Sequence, residues 1–153
     1  MDYRAAAGRA KRTNRGARNL SGERYQGLWC SRGRAGYSAL VIAETAIDAL
    51  SYAALHGRPG SRYISTGGEL NPAQPGLIKS AMEKMPKDSE VIVAVDNDEG
   101  GGALLEKIRG LFSDLSRAEL DLIDARPSAS GQDWNDALRA SMEKRDWAPE
   151  PIA

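Results

Sequence analysis

The sequence predicts an α/β fold, a parallel four-stranded sheet flanked by helices and preceded by a basic N-terminal arm that reads as disordered. Three observations carry that prediction. Two short apolar runs, Ala39-Leu40-Val41-Ile42-Ala43 and Val91-Ile92-Val93-Ala94-Val95, are bounded by polar residues, as buried strands of a parallel sheet are. Strand-like and helix-like segments alternate along the chain, which implies a parallel sheet covered on both faces. Acidic residues stand directly after both runs, Glu44 after the first and Asp96 and Asp98 after the second. In open α/β sheets, ligands bind just outside the carboxyl ends of such strands.

The elements follow in order. Residues 1–22 are rich in Arg, Ala, Gly, Asn and Ser, show no hydrophobic period and form the arm. Arg24 to Ser31, with Tyr25, Leu28, Trp29 and Cys30, is a candidate short strand, and Gly33 to Gly36 reads as a turn. The first central strand is 39–43. A helix over 45–56 places Ala46, Ile47, Leu50, Ala53, Ala54 and Leu55 on one face, predicted to be buried, and Gly57, Pro59 and Gly60 end it. Residues 62–65 form the second strand, and Thr66-Gly67-Gly68 a turn. Asn71-Pro72 starts a helix that runs to about Lys84, before Pro86. The third strand is 90–95, and a helix over 102–113 is entered through Gly100-Gly101-Gly102. Glu119 to Ile123 is the fourth strand, and a loop from Ala125 to Gln132 leads to a last helix over 134–144. The domain therefore spans 23–146, and the tail 147–153, with Pro149 and Pro151, is irregular.

Composition narrows the class. A chain of 153 residues, 41% hydrophobic and 27% charged, suits one soluble globular domain, expected in the cytoplasm. No apolar run approaches the ~20 residues of a membrane span. Met1 to Arg18 lacks the apolar centre of a secretory signal, although its Arg and Ala content is also that of transit peptides. Cys30 is the only cysteine, so no internal disulfide forms, and it reads as a small core residue. His56, the only histidine, reads as a surface or capping residue at a helix end; one Cys and one His disfavour zinc.

Net charge is zero but unevenly spread. Residues 1–34 carry +7 and the remainder −7. Arg12, Arg15 and Arg18 of the arm are candidate nucleic-acid contacts; a solvated leader explains the same charges equally well.

The chemistry centres on Glu44, Asp96 and Asp98. Residues two apart in an extended segment point the same way, so Asp96 and Asp98 can face one ion. Oxygen-only ligands suit Mg²⁺ or Mn²⁺, which neutralises phosphate oxygens during phosphoryl transfer. The competing possibility is that Glu44 and Asp98 merely cap the helices that follow. Asp48, one turn beyond Glu44, is either an accessory acid or a structural hydrogen-bonding residue. Asp133 and Asp136 are further accessory candidates, while Asp133 is also a good N-cap with Asp136 three residues on. The amides of Thr66, Gly67, Gly68 and Gly100 could cradle phosphate. The glycines could equally provide only turn geometry or clearance.

These segments resemble a known family. Leu40 to Leu50, with Glu44 closing a strand, resembles the first motif of the TOPRIM family, and Asp96-Asn97-Asp98 its D-x-D motif. Ala46 to Ser51, Ser65-Thr66-Gly67-Gly68 and Asp133-Trp134-Asn135-Asp136-Ala137-Leu138 extend the resemblance over roughly 37–143. It lies closest to the toprim subfamily of plasmid and mobile-element primases and relaxase-associated proteins. Two departures stand out: Glu99 and three glycines follow the D-x-D acids, and Gln132 stands where a Lys often precedes D-W-N-D. The resemblance implies a Rossmann-like TOPRIM fold with Glu44, Asp96 and Asp98 as catalytic and metal-binding acids. It further implies DNA or RNA and nucleotides as ligands, and other domains or replication or mobilisation proteins as partners, with no membrane. Primase-like nucleotidyl transfer leads; metal-dependent nuclease action and a non-catalytic DNA-binding or scaffold module are the alternatives.

Overall fold

The computed structural model describes residues 27–33 and 35–146. In chain order the elements are β1 (Trp29–Cys30), β2 (Ala39–Ala43), α1 (Ala46–His56), β3 (Ser61–Ser65) and α2 (Gln74–Glu83), then β4 (Glu90–Val93), α3 (Glu99–Ser113), β5 (Asp121–Asp124) and α4 (Trp134–Asp146). They form one sheet in the order β1-β3-β2-β4-β5. The four strands expected from sequence are β2 to β5, and all pair in parallel. The sheet has a fifth strand: two-residue β1 pairs antiparallel with β3, Trp29 opposite Ser65. It comes from the segment flagged as a candidate strand. The arm expected over 1–22, including Arg12, Arg15 and Arg18, and the tail 147–153 lie outside the described residues.

Alternation along the central strands divides the core in two. Leu40, Ile42, Val91, Val93 and Val95 pack with Ile78 and Met82 of α2 and Leu104, Leu105 and Ile108 of α3. Ala39, Val41, Ile92 and Ala94 pack with Tyr52 of α1 and Trp134 of α4. All of β2 is buried, as strands covered on both faces are.

Three expectations are corrected. The buried face of α1 is Asp48, Ala49, Ser51 and Tyr52, whereas Ile47 is 62% and Leu50 56% exposed. Small Ala49 and Ser51 let α1 lie close to the sheet, and Asp48 and Tyr52 meet α4, which turns the Ile47 and Leu50 stripe outward. Cys30, expected in the core, is exposed on edge strand β1. Helix α3 also starts earlier than the three glycines suggested. The Asp98 carboxylate accepts a hydrogen bond from Gly101 N at 2.8 Å, and this cap brings Glu99 and the glycines into the first turn.

Candidate metal centre

The carboxyl ends of β2 and β4 lie side by side, since Ile42 pairs with Val93 and Ala94 N donates to Ile42 O at 2.8 Å. This register brings Glu44 beside Asp96: Asp96 N donates to Glu44 Oε1 at 3.3 Å. Glu44 is therefore tied to the neighbouring strand end, and Thr45 supplies the N-cap of α1 by accepting from Asp48 N at 3.1 Å. Of the two acids that could have capped helices, only Asp98 does so.

Asp96 is the outlier. Among the described residues, two buried side-chain oxygens lack a hydrogen-bond partner, Ser89 Oγ and Asp96 Oδ1. Burial, then the negative charges of Glu44, Asp48, Asp133 and Asp98, push the Asp96 carboxyl up to about 7. Burial also raises Glu44, with Asp98 and Asp48 adding to it and the Asp96 amide opposing it. A buried carboxylate oxygen without a donor, surrounded by like charges, is a costly arrangement in the bare protein. A hard cation is the partner that satisfies it, and carboxylate oxygens are the donors Mg²⁺ and Mn²⁺ take. The residues present thus fit a divalent ion, with Asp96 and Glu44 nearest to one another. Among the described residues, no three His, Cys, Asp or Glu side chains are already gathered closely enough to hold one.

The flanking segments position this edge. Gly101 sits against the Asp96 backbone: a Cβ there would lie 2.0 Å from Asp96 O, so only glycine fits. Gly100 and Gly102 have no such constraint, their nearest contacts being 3.4 Å and 3.9 Å away. In the Thr66–Gly68 turn, Thr66 N donates to Ala43 O, and Gly67 N and Gly68 N donate to Glu44 O at 2.7 and 3.2 Å. Gly67 and Gly68 adopt φ of 74° and 111°, which glycine favours. The turn grips the Glu44 backbone. Asp48, 4% exposed, accepts from Thr45 Oγ1 and, at 3.3 Å, from Asn135 N, so it joins α1 to the start of α4. Asp133 Oδ1 accepts from Asp136 N at 2.6 Å as the α4 cap, and exposed Asp136 lies in the first turn. Trp134 Nε1 donates to Ala125 O at 3.0 Å, and its ring meets Tyr52 and His56 edge-on. His56 is exposed at the end of α1, as expected, and forms part of this aromatic cluster.

Two residues that sequence reasoning missed organise the surroundings. Asn97, the middle of D-x-D, donates from Nδ2 to Pro127 O at 2.9 Å and Ala129 O at 3.2 Å, and its backbone pairs with Gln132 and Gly131. It fastens the loop before α4 to the acidic edge. Gln74 is fully buried; its Nε2 donates to Gly27 O at 2.7 Å and Thr66 O at 2.6 Å, and its Oε1 accepts from Asn71 N. A short polar residue between the two acids signalled the first. Nothing in the pattern around Gln74 signalled the second.

A family profile described as Toprim-like matches residues 41–138, well over half the chain. The chain belongs to the Toprim-like family. The matched span opens in β2 and closes in α4, so it contains Glu44, the D-x-D segment and the D-W-N-D helix start. Toprim membership carries the character of a metal-binding, nucleic-acid-processing module, whose acids generally take Mg²⁺. No curated protein matches the chain. No helix among the described residues is long and apolar enough to cross a membrane.

Proposed function

We propose that this Toprim domain is a divalent-metal-dependent module for nucleotidyl or phosphoryl transfer on nucleic acid, primase-like, in plasmid or mobile-element DNA replication in the cytoplasm. The observation that carries it is the unpartnered, buried Asp96 Oδ1 beside Glu44 at the adjoining ends of β2 and β4. Asp96 and Glu44 would hold the ion, with Asp98 contributing from the start of α3. Asp98 Oδ1 already serves the α3 cap, which leaves its second oxygen for that role. A bound Mg²⁺ or Mn²⁺ supplies charge neutralisation on phosphate oxygens. Burial raises the Glu44 carboxyl above its ordinary value, which suits it to exchange a proton at this edge. With water as acceptor the same acids would cut phosphodiesters, Glu44 acting as base. Arg12, Arg15 and Arg18 would approach the nucleic acid, and Asp48, Asp133 and Asp136 would hold the acidic edge in shape. Gly100, in the first turn of α3, borders the site and would face phosphate; the Thr66, Gly67 and Gly68 amides, expected to cradle phosphate, are instead taken up by Ala43 O and Glu44 O and would hold Glu44 in place.

A second reading is favoured by the dispersal of the acids: with no three gathered among the described residues, the domain would bind or scaffold DNA without turning it over. Calorimetric titration of Mn²⁺ separates the two. The folded Asp96→Asn/Asp98→Asn variant should lose the binding that wild type shows. Unchanged affinity in that folded variant would sink the metal assignment; salt-sensitive DNA binding surviving the change would favour the scaffold.

A further inference from the structure

An open groove of about 490 Å³ lies between the segment that leads into α2 and the second half of α3. Pro72 and Pro75 stand on the α2 side. Lys107, Gly110, Leu111 and Asp114 form the α3 wall. These four recur at helical spacing, so they stand in one stripe along α3. Lys107, Gly110 and Asp114 are exposed, and Leu111 is half-buried.

Three members of the stripe lack a reason within one chain. Asp114 is the C-cap of α3, where the helix dipole disfavours an acid, and the last turn carries no basic residue to offset it. Neither Asp114 nor Lys107 makes an ion pair among the described residues. Lys107 shares a smaller hollow with Glu69 and Glu44 but pairs with neither. Arg109, the other cation nearby on α3, is engaged by Glu106 and by Asp124 of β5. Gly110 weakens the helix it stands in, yet a Cβ there would meet nothing within 4 Å. Gly76 of α2 is equally open, so openness alone decides nothing. At Gly110 the bare backbone also lies between the two unpaired charges on the groove wall.

We infer that this groove is a dimerisation surface, occupied by α3 of a second copy of this chain running antiparallel across a two-fold axis at Gly110 and Leu111. The stripe carries its own complement. Lys107 stands three residues before Gly110, and Asp114 three residues after Leu111. Reversing the helix about that centre sets Lys107 of each copy against Asp114 of the other, and Leu111 of each against Gly110 of the other. A two-fold interface has to be self-complementary in this way. Shape follows the same rule: α3 walls its own groove and is the ridge that enters the other copy's. Bare Gly110 leaves room for Leu111 and lets the backbones approach closely. Closing the pair takes Pro72, Pro75 and Leu111 from water and brings a cation to the acid that ends α3. This surface stands independently of the metal reading of Glu44 and Asp96.

The test is sedimentation equilibrium on the full chain without divalent metal. It compares wild type, Lys107→Glu, Asp114→Lys, and an equimolar mixture of those two variants, with amide NMR spectra to show that each is folded. Wild type should pass from one chain to two below about 100 µM. Either variant alone sets like charges opposite one another at both ends of the stripe and should weaken the dimer about thirtyfold. Mixing the two restores opposite charges at both ends, so a one-to-one pair should return with nearly wild-type affinity. A role for Lys107 or Asp114 inside one chain gives no such rescue. Gly110→Leu favours the helix and checks the contact without changing charge; it should weaken the dimer about tenfold. A wild-type chain that stays monomeric to about 1 mM overturns the second copy as occupant and leaves the groove to a different partner. A dimer indifferent to the single variants or to Gly110→Leu, or folded variants that fail to pair when mixed, overturns the antiparallel α3 contact.

Discussion

The two faces of the sheet are built on different chemistry. Toward α2 and α3, the strands present Leu40, Ile42, Val91, Val93 and Val95 to Ile78, Met82, Leu104 and Ile108, a mainly aliphatic layer in which Tyr37, donating from its hydroxyl to Ala81 O, is the polar addition. Toward α1 and α4, they present Ala39, Val41, Ile92 and Ala94 to Tyr52 and Trp134. There polar contacts tie α1 to α4 through Asp48 and Asn135, and α4 to the segment after β5 through Trp134 and Ala125. The first face supplies most of the burial that holds the fold. The second buries less apolar bulk and spends its specificity on holding the acidic edge. Stability and site geometry should therefore respond to different substitutions.

The largest effect is expected on the aliphatic face. Ile78→Ala, at a fully buried position, should cost about 3 kcal/mol in urea unfolding, while the folded fraction keeps its divalent-metal affinity. Loss of metal affinity in step with stability would show that the faces are not separable. Asp48→Ala on the polar face should cost about 2 kcal/mol, because Thr45 Oγ1 and Asn135 N lose their acceptor. It should also lower the Asp96 midpoint read by carboxyl ¹³C NMR, since Asp48 helps to raise it. An unmoved Asp96 would detach this face from the site.

A smaller effect follows from Asp96 itself. Its carboxyl titrates at about 7 in the fold and near the ordinary carboxylate value of about 4 when unfolded. Between those values the folded chain binds more protons, so stability falls as pH rises through the window. Solvent at the half-buried carboxylate moderates the size. Melting without divalent metal should drop a few degrees from pH 5 to pH 8, and Asp96→Asn should flatten that slope. Metal competes with the proton, so its affinity should rise over the same interval. A slope unchanged in Asp96→Asn would place the titrating group elsewhere.

Legibility in the sequence also differed between the faces. The runs 39–43 and 91–95 were plain because every residue is apolar and buried, whichever face it serves. Their acids were flagged by position, directly after buried runs, yet position alone could not separate ligand from cap, and Asp98 does cap α3 while Thr45, not Glu44, caps α1. Helix α1 was misread because counting apolar residues at helical spacing cannot choose between two stripes. Ala49, Ser51, Tyr52 and Asp48 won the inside by size and by hydrogen bonding to α4, leaving Ile47 and Leu50 outside. Likewise, nothing local distinguishes Gly101 from Gly100 and Gly102; only the Asp96 backbone pressed against it does. Gln74 was illegible for the same reason, since its partners Gly27 and Thr66 come together only in the fold.

The most direct measurement is a Mg²⁺ and Mn²⁺ titration of the wild-type chain followed by amide NMR. Shifts and Mn²⁺ broadening centred on Glu44 and Asp96 to Gly100, fading toward Asp133 to Asp136, are the predicted result. No localised response up to millimolar metal, or a response centred away from Asp96, would contradict the assignment of that buried oxygen as a cation ligand.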